Sequence, residues 1–356
     1  HGTPNACVQC HEDKSDKWAA SQVEKWYGKE RPYHFSEDLI LGRRREPEFV
    51  AALIKMLADT ATPIIARATA IQYINDTQHP NGNNNVIPFL KSPEPLIRIQ
   101  AVRSLNDLPG DQKITQVAPL LNDKVRGVRI AAADILLDAA QDEIPGLYRQ
   151  SLNKATDEYY EYLTANIDSR DGKFAFAQYY DRLNQPENAE KYYLKALKMD
   201  SLFNMSRLNL GVLYNRLGRN EDALRMYNEV IEIEPTYGPA HYSLGLLYAE
   251  MNRLDKTVEY LKQAIVLSPE NLRAHYNLGL ALQNIDRSGE AEEVYLNALK
   301  VAPEYWEIHN AIGILYFQQG NLVQSKYHID RLVSQFPNNQ ELRNFQLQIN
   351  QAISAS

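Results

Sequence analysis

Two cysteines and a histidine stand close together near the start of the chain. Residues 5–14 read Asn-Ala-Cys-Val-Gln-Cys-His-Glu-Asp-Lys, so Cys7, Cys10 and His11 form a C-x-x-C-H motif. This spacing is typical of c-type haem attachment. Two thiols three residues apart can each form a thioether with one vinyl edge of the same porphyrin, and His11 then lies under the ring as the proximal iron ligand. The motif predicts one covalently attached haem c.

Other chemistry for the two thiols has less support in the surrounding sequence. A redox dithiol of the thioredoxin type should open a helix after a strand, and no such pattern surrounds Cys7 and Cys10. A structural zinc site needs four ligands, and neither a second C-x-x-C nor an H-x-x-x-H occurs. Since the chain has only 2 cysteines, a disulfide framework is excluded. Zinc and a free dithiol are the alternatives to haem.

A helix that follows the motif offers aromatic side chains to the haem. The sequence predicts this helix from Ser15 to Gly28, since Asp16 suits its first turn and glycine is a common helix stop. Trp18 and Trp26 are separated by eight residues and share one face of the helix. We expect the two indoles to pack on a haem edge.

The sequence leaves the identity of the distal iron ligand open. His34 follows the predicted helix in the segment Arg-Pro-Tyr-His-Phe and is one candidate, although it also suits an ordinary loop histidine. His1, a residue upstream of the chain and a vacant iron position are the alternatives. Ligation by two histidines favours electron transfer, whereas a vacant position permits ligand binding or catalysis.

Composition limits the class of protein further. The chain has 356 residues, of which 44% are hydrophobic and 23% charged, and its formal net charge is −7. These values are ordinary for a globular protein and too apolar for disorder. An acidic balance without a Lys/Arg block argues against a nucleic-acid partner, and no apolar run is long enough to span a membrane. Because the chain starts at His1, we expect either that a signal peptide has been removed or that this is the C-terminal piece of a longer polypeptide.

Three segments within residues 46–144 resemble one another. Each carries an arginine at the same place, and the interval from Arg67 to Arg98 equals that from Arg98 to Arg129. An apolar helix, predicted at 53–57, 86–90 and 117–121, and a short polar turn precede each arginine. This is the pattern of HEAT-type helical hairpins, which bury their apolar stripes only against their neighbours. We expect the arginines to tie successive hairpins together by hydrogen bonds.

Residues 170–339 contain a second repeat, with a slightly longer period. Leucine-glycine or isoleucine-glycine pairs, small residues and terminal prolines recur with this period. The glycines are Gly211, Gly245, Gly279 and Gly313, and the prolines are Pro235, Pro269, Pro303 and Pro337. With a degenerate first copy, the pattern predicts five tetratricopeptide (TPR) repeats that start at 170, 204, 238, 272 and 306. Residues 145–169 are expected to form a linking helix, and 340–356 a polar capping helix.

The TPR segment also presents a histidine ladder and a predicted groove. His241, His275 and His309 recur with the period of the repeat, and helix packing separates equivalent atoms by roughly 10 Å, too far for a shared metal ion. We therefore expect buried packing histidines. The first helix of each repeat should line the concave surface. Its predicted rows, which contain no lysine or arginine, are Leu208, Tyr242, Tyr276 and Asn310, and Asn215, Ala249, Gln283 and Phe317.

Taken together, these features resemble the C-terminal region of multihaem c-type cytochromes that carry HEAT-like and TPR repeats. The resemblance covers essentially the whole chain in domain order, and its most specific part runs from Gly2 to Gly28 through the C-x-x-C-H motif. It implies haem attachment at Cys7 and Cys10, iron ligation by His11, and a histidine such as His34 in the following turn. Further upstream C-x-x-C-H motifs of that family do not occur in this chain.

The sequence thus predicts an all-α protein with a haem-binding segment at 1–45, HEAT-like repeats and a TPR superhelix, together an α-solenoid. The leading functional hypothesis is an exported electron-transfer cytochrome, located in the periplasm or outside the cell. Its solenoid would dock a redox partner protein or other haem modules, or assemble with copies of itself. The alternatives are an interaction scaffold with structural haem, and a haem enzyme that acts on a small oxyanion or peroxide.

Overall fold

A computed structural model describes residues 11, 13–28, 33–44, 49–75 and 85–355. These residues form 19 α-helices and two short 3₁₀ helices, and no strand occurs among them. The chain divides into two compact units, His1–Asn166 and Ile167–Ser356. The all-α class and the succession of helical repeats agree with the prediction. None of the described helices has the length and apolar character that crossing a bilayer requires.

The first described helix, α1 (Asp16–Tyr27), has the predicted ends. The Ser15 hydroxyl accepts a hydrogen bond from the Trp18 amide at 3.2 Å, which satisfies one of the unpaired donors at the helix start. Gly28 ends the helix with a φ of 85°, and its amide donates to the Glu24 carbonyl oxygen. This positive φ strains residues with a side chain, so glycine suits the helix stop.

The remaining helices of the first unit pack as successive hairpins. Their common core contains buried aliphatic side chains from each hairpin, including Leu53, Ile71, Ile97, Val128 and Leu152. The helices are α2 (Ser36–Arg44), α3 (Phe49–Ala58), α4 (Ile64–Asn75), α5 (Pro95–Arg103), α6 (Gly110–Val117), α7 (Arg126–Ile135) and α8 (Gly146–Ala165).

Two of the three apolar helices predicted in this unit are 3₁₀ helices, Ile87–Lys91 and Ala118–Asn122. A proline, Pro88 or Pro119, is the second residue of each. Proline has no amide hydrogen, so it is tolerated at a helix start but does not continue an α-helical hydrogen-bond ladder. The short segments therefore close with bonds between residues three apart, such as the 3.1 Å bond from the Ser92 amide to the Phe89 carbonyl.

The second unit consists of five helix pairs and a final helix. The first helices of the pairs begin at positions 170, 204, 238, 272 and 306, as the repeat period predicts. The pairs are α9 (Arg170–Arg182) with α10 (Pro186–Met199), α11 (Asn204–Arg216) with α12 (Asn220–Ile233), α13 (Gly238–Glu250) with α14 (Leu254–Leu267), α15 (Leu272–Gln283) with α16 (Ser288–Val301), and α17 (Trp306–Gln318) with α18 (Leu322–Gln335). Helix α19 (Gln340–Ala355) follows them.

Close approach of the two helices in a pair explains the repeated glycines. A Cβ atom at Gly245 would lie 2.7 Å from Leu261 Cδ2, and one at Gly313 would lie 2.8 Å from Ile329 Cδ1. Any larger residue would force these helices apart. The glycine and the opposing side chain thus fix how tightly each pair packs.

Each pair turns through a residue in the left-handed backbone region. This residue recurs with the period of the repeat, directly after the first helix has ended. The five residues are Asn184, Gly218, Asn252, Asp286 and Gly320, with φ between 53° and 74°. Glycine, asparagine and aspartate are the residues that adopt this conformation most readily. The turn therefore constrains the residue type, although no single residue is required there.

Candidate functional site

His11 is the only member of the C-x-x-C-H motif that the structure describes, since Cys7 and Cys10 lie outside the described residues. The imidazole is exposed and packs against the Trp18 ring, with 5.1 Å between the ring centroids. Among the described residues, no hydrogen-bond partner engages either ring nitrogen of His11. An exposed imidazole with available nitrogens fits the donor that a haem iron requires.

The two tryptophans of α1 differ in exposure. Trp18 is half-buried beside His11, whereas Trp26 is 64% exposed, two turns along the same helix. An exposed indole on the helix that carries Trp18 leaves a flat aromatic surface uncovered by protein. The packing of both side chains on a porphyrin edge stays a prediction.

His34 is exposed and engaged in local contacts. Its ring packs on Phe35 with 4.2 Å between centroids, and the Ser36 amide donates to Nδ1 at 3.2 Å. An Nδ1 that accepts this bond leaves the proton of neutral imidazole on Nε2. Ligation of iron through Nε2 would require the proton to move to Nδ1, with the Ser36 hydroxyl at 2.8 Å as its acceptor. His11 and His34 thus contact different aromatic rings, and no ring contact joins them.

Two of the three repeated arginines of the first unit have the structural role that the sequence predicts, whereas Arg67 donates to the Leu57 carbonyl oxygen of its own hairpin at 2.9 Å. Arg98 donates to both carboxylate oxygens of Asp123, at 2.8 and 2.9 Å, and Arg129 binds Glu158 in the same way, at 2.9 and 2.7 Å. Burial acts to raise the pKa of Asp123, but hydrogen bonds from Arg98 and the Val125 amide outweigh it and hold this pKa below its ordinary value. These side chains tie neighbouring hairpins together.

The histidine ladder of the second unit is buried, as predicted, and it also satisfies backbone groups. His241 Nε2 donates to the Pro235 carbonyl oxygen at 2.9 Å, and His309 Nε2 donates to the Pro303 carbonyl oxygen at 2.8 Å. Each bond connects a first helix to the turn that precedes it. No group of three or more metal-ligating side chains occurs among the described residues. The ladder therefore stabilises the turns between repeats.

The last member of the ladder has a partner that sequence reasoning missed. His309 Nδ1 lies 2.8 Å from His328 Nδ1, and both side chains are buried. Position 328 carries different residues in the other repeats, including Tyr260, so the repeat pattern gives no signal for a second histidine.

The first helices of the TPR pairs form the inner face of this unit. Successive first helices contact one another more extensively than successive second helices do, which places the first helices on the concave side. The predicted row of Leu208, Tyr242, Tyr276 and Asn310 is half-buried there. The second predicted row is partly occupied by protein contacts, because Gln283 donates to the Tyr295 hydroxyl at 2.7 Å and Phe317 packs on Phe345 of α19.

A third row on these helices is more accessible and was not predicted. It consists of Val212, Leu246, Leu280 and Ile314, of which Val212, Leu280 and Ile314 are 46%, 37% and 37% exposed. Each residue lies four positions after a member of the first row and therefore on the same helix face. This i, i+4 spacing is the sequence signal that would have identified it. We call the first and third rows together the inner apolar face.

Comparison with known families supports both types of repeat. A family model described as HEAT repeats matches residues 50–137. Models of the tetratricopeptide repeat match residues 174–237, 247–286 and 272–305. The chain therefore contains HEAT and TPR repeats, and the C-x-x-C-H motif precedes the matched residues.

Three solved TPR structures are similar to about half of this chain. MamA from Desulfovibrio magneticus RS-1 is 19% identical over 50% of this chain and 96% of its own, with a TM-score of 0.41. YrrB, described as a TPR protein with an unusual peptide-binding site, is 20% identical over 52% and 97%, with a TM-score of 0.43. A TPR protein from Parabacteroides merdae is 19% identical over 52% and 74%, with a TM-score of 0.46. No curated protein sequence matches this chain.

Proposed function

We propose that this chain is an exported c-type cytochrome whose helical repeats dock it to protein partners. The single observation that carries the proposal is the sequence Cys7-Val-Gln-Cys10-His11. The exposed His11 imidazole, which has no hydrogen-bond partner among the described residues, supports it. Because c-type haem is attached outside the cytoplasm, the proposal places the protein in the periplasm or outside the cell.

Each residue of the motif has a distinct role in this proposal. The Cys7 and Cys10 sulfurs bond the haem covalently, and a His11 nitrogen holds the iron. The contact between Trp18 and the His11 ring restricts the orientation of the imidazole. Bound haem supplies a reversible one-electron couple, whose potential the protein tunes through the axial ligands and their surroundings. The redox partner is another protein or another haem module.

Production of the full chain together with a haem-attachment system tests this proposal. We expect haem that survives denaturing electrophoresis and a reducible c-type absorption spectrum. Cys7→Ser combined with Cys10→Ser should abolish the covalent haem, whereas His11→Ala should leave attachment possible and change the spectrum. His241→Ala is the matched histidine control, because His241 is buried in a TPR repeat. Unmodified cysteines in the natural protein would overturn the proposal.

A second candidate function is a protein-interaction scaffold without electron transfer. The inner apolar face favours it, because its aliphatic side chains remain partly exposed along successive helices. Exposed apolar surface of this kind marks interaction sites in many proteins. The absence of lysine and arginine from both rows suits an apolar or extended segment of a partner protein.

Selection from a displayed library of random peptides tests the docking role directly. We expect the full chain to enrich apolar sequences, and Leu280→Asp to reduce this enrichment. Val266→Asp is the control, because Val266 is 71% exposed on α14, a second helix, and lies outside the inner apolar face. Circular dichroism should show equal helix content in both variants. Failure to enrich any peptide, or equal loss in both variants, would exclude docking at this face.

A further inference from the structure

One cation lies at the edge of the inner apolar face. Arg273 is the second residue of α15 and precedes Tyr276 by three positions, which places it on the same face of the helix. The side chain is exposed, and among the described residues it forms no ion pair. By contrast, exposed arginines such as Arg219 and Arg225 pair with Asp222. Arg273 thus lacks a direct ion pair in the described part of the chain, although the Tyr305 hydroxyl and Glu307 lie near it.

A hydroxyl group on the preceding repeat faces the same region. Asn277 Nδ2 donates to the Tyr242 hydroxyl oxygen at 3.1 Å, so the Tyr242 hydroxyl hydrogen is left without an acceptor among the described residues. Burial raises the pKa of Tyr242, and the nearby Arg273 cation opposes that rise. Two donors from neighbouring helices, one of them charged, therefore lie close together, and no ion pair with a carboxylate is formed there in the described part of the chain.

The next repeat carries a charge of the opposite sign at the equivalent position. Glu307 stands one repeat period after Arg273, and its Oε2 is buried without a hydrogen-bond partner in the described part of the chain. Burial raises the pKa of Tyr305, Glu307 adds to the rise, and Arg273 opposes it, so both charges lie near this tyrosine. Glu307 thus offsets part of the Arg273 charge at this place and repels a negative group of a partner that approaches it.

We infer that the inner apolar face binds a protein segment whose apolar side chains are interrupted by one aspartate or glutamate, and that the carboxylate of this residue pairs with Arg273 and the Tyr242 hydroxyl. A carboxylate satisfies a guanidinium and a hydroxyl donor at once. Leu246 and Leu280, the members of the third row in these two repeats, then contact the flanking apolar residues. This inference rests on the docking function proposed above and specifies the chemistry of the partner.

The proposed acidic residue lies within the segment. Arg273 is the single basic residue at this position of the first helices, because the other four repeats carry Asp171, Met205, Pro239 and Glu307 there. One cation with one hydroxyl donor suits a single side-chain carboxylate. A terminal carboxylate beside an acidic side chain would bring two negative charges to this one cation.

The test uses the full chain and a displayed library of random peptides whose C-termini are amidated or fused, so that every acid is internal. We expect wild-type selection to enrich peptides with one Asp or Glu among apolar residues. An enriched peptide should lose about tenfold in affinity when its acid is changed to the amide. Arg273→Gln should lose about tenfold for the acidic peptide and have no effect on binding of the amide form. Arg225→Gln is the control for removal of a positive charge, because Arg225 lies on α12, the second helix of its pair.

The possible results separate this inference from the docking function. Enrichment of apolar peptides without an acid, or equal losses of both peptide forms in Arg273→Gln, would overturn the inference and leave docking intact. No enrichment on the wild-type chain would overturn docking itself. Glu307→Gln gives a further check, because removal of the repelling carboxylate should increase affinity for the acidic peptide, and decreased affinity would contradict the proposed placement.

Discussion

His309 and His328 share a hydrogen bond in the interior of the fifth TPR repeat. Since His309 Nε2 donates to Pro303, its Nδ1 accepts, and His328 Nδ1 carries the shared hydrogen. The carboxylates of this region are already engaged, Glu292 by Tyr316, Glu304 by Arg331 and Asp330 by Lys326. A proton added to His328 would therefore create a buried cation without a described counterion.

Acid should destabilise the fifth repeat through this pair. Burial, with His309 and Arg331 close by, lowers the pKa of His328 from 6.5 to about 4. Folding therefore opposes protonation, so the stabilisation is complete above pH 6.5 and is lost as the pH falls towards 4. The loss should be on the order of 3 kcal/mol. Urea unfolding at pH 7 and pH 4, followed by hydrogen exchange in α17 and α18, measures it.

His328→Tyr provides the matched variant, because tyrosine occupies the corresponding position in the third repeat, where Tyr260 lies beside His241. We expect this variant to lose less stability between the two pH values than the wild-type chain. Nuclear magnetic resonance titration gives the pKa of His328 directly. A value near 6.5 would contradict the proposed origin of the effect.

Arg98 is a buried arginine whose hydrogen bonds stabilise the first unit. It is 6% exposed and binds Asp123 as well as the carbonyl oxygens of Ser92 and Pro93. Arg98→Ala removes the ion pair and leaves the half-buried Asp123 carboxylate with the Val125 amide as its hydrogen-bond donor, which should cost about 3 kcal/mol. Arg126→Ala is the control, because Arg126 pairs with Glu161 at the surface and should change stability by less than about 1 kcal/mol. Hydrogen exchange in α5 and α7 measures both; equal effects would contradict this role.

At the scale of elements, the glycines of the TPR pairs set the distance between helices. Gly279→Ala would place a methyl group into the ring of Tyr295, which is fully buried and hydrogen-bonded to Gln283. We expect a loss of about 1–3 kcal/mol, because a packed ring cannot move without disturbing its neighbours. Hydrogen exchange in α15 and α16 should increase.

Gly289→Ala is the control for this substitution. Gly289 lies in the first turn of α16, and nothing is within 4 Å of the position of an added Cβ atom. Alanine is a better helix former than glycine, so this variant should be unchanged or more stable by up to about 1 kcal/mol. If both variants lost stability equally, close helix approach would not explain the repeated glycine.

The elements that the sequence predicted are those that repeat. Gly211 and its equivalents identified the helix pairs because every copy must satisfy the same packing constraint. His328 was missed, since its partner position varies between repeats, and the 3₁₀ helices at Pro88 and Pro119 were expected as ordinary helices. The row from Val212 to Ile314 carried a signal in its i, i+4 spacing, but its exposure depends on the neighbouring helices. Haem attachment at Cys7 and Cys10 stays a prediction.

At the scale of the whole molecule, each unit contains its own hydrophobic clusters. In a solenoid, each repeat contacts mainly its neighbours, so local damage need not spread through the array. The stability of the last repeat therefore depends on the segment that covers its outer side. Helix α19 supplies this cover, because Ile349 is fully buried against Ile329 and Leu332 of α18.

Ile349→Ala should loosen the end of the second unit without unfolding its beginning. Removal of a buried isoleucine side chain costs about 2–5 kcal/mol, since the neighbouring side chains fill the cavity only partly. We expect faster hydrogen exchange in α18 and α19 and little change in α11 and α12, because the loss is confined to neighbours in the array. Leu347→Ala is the control on the same helix, with a side chain that is 57% exposed. A uniform increase in exchange from α9 to α19 would instead show that the second unit unfolds as one cooperative body.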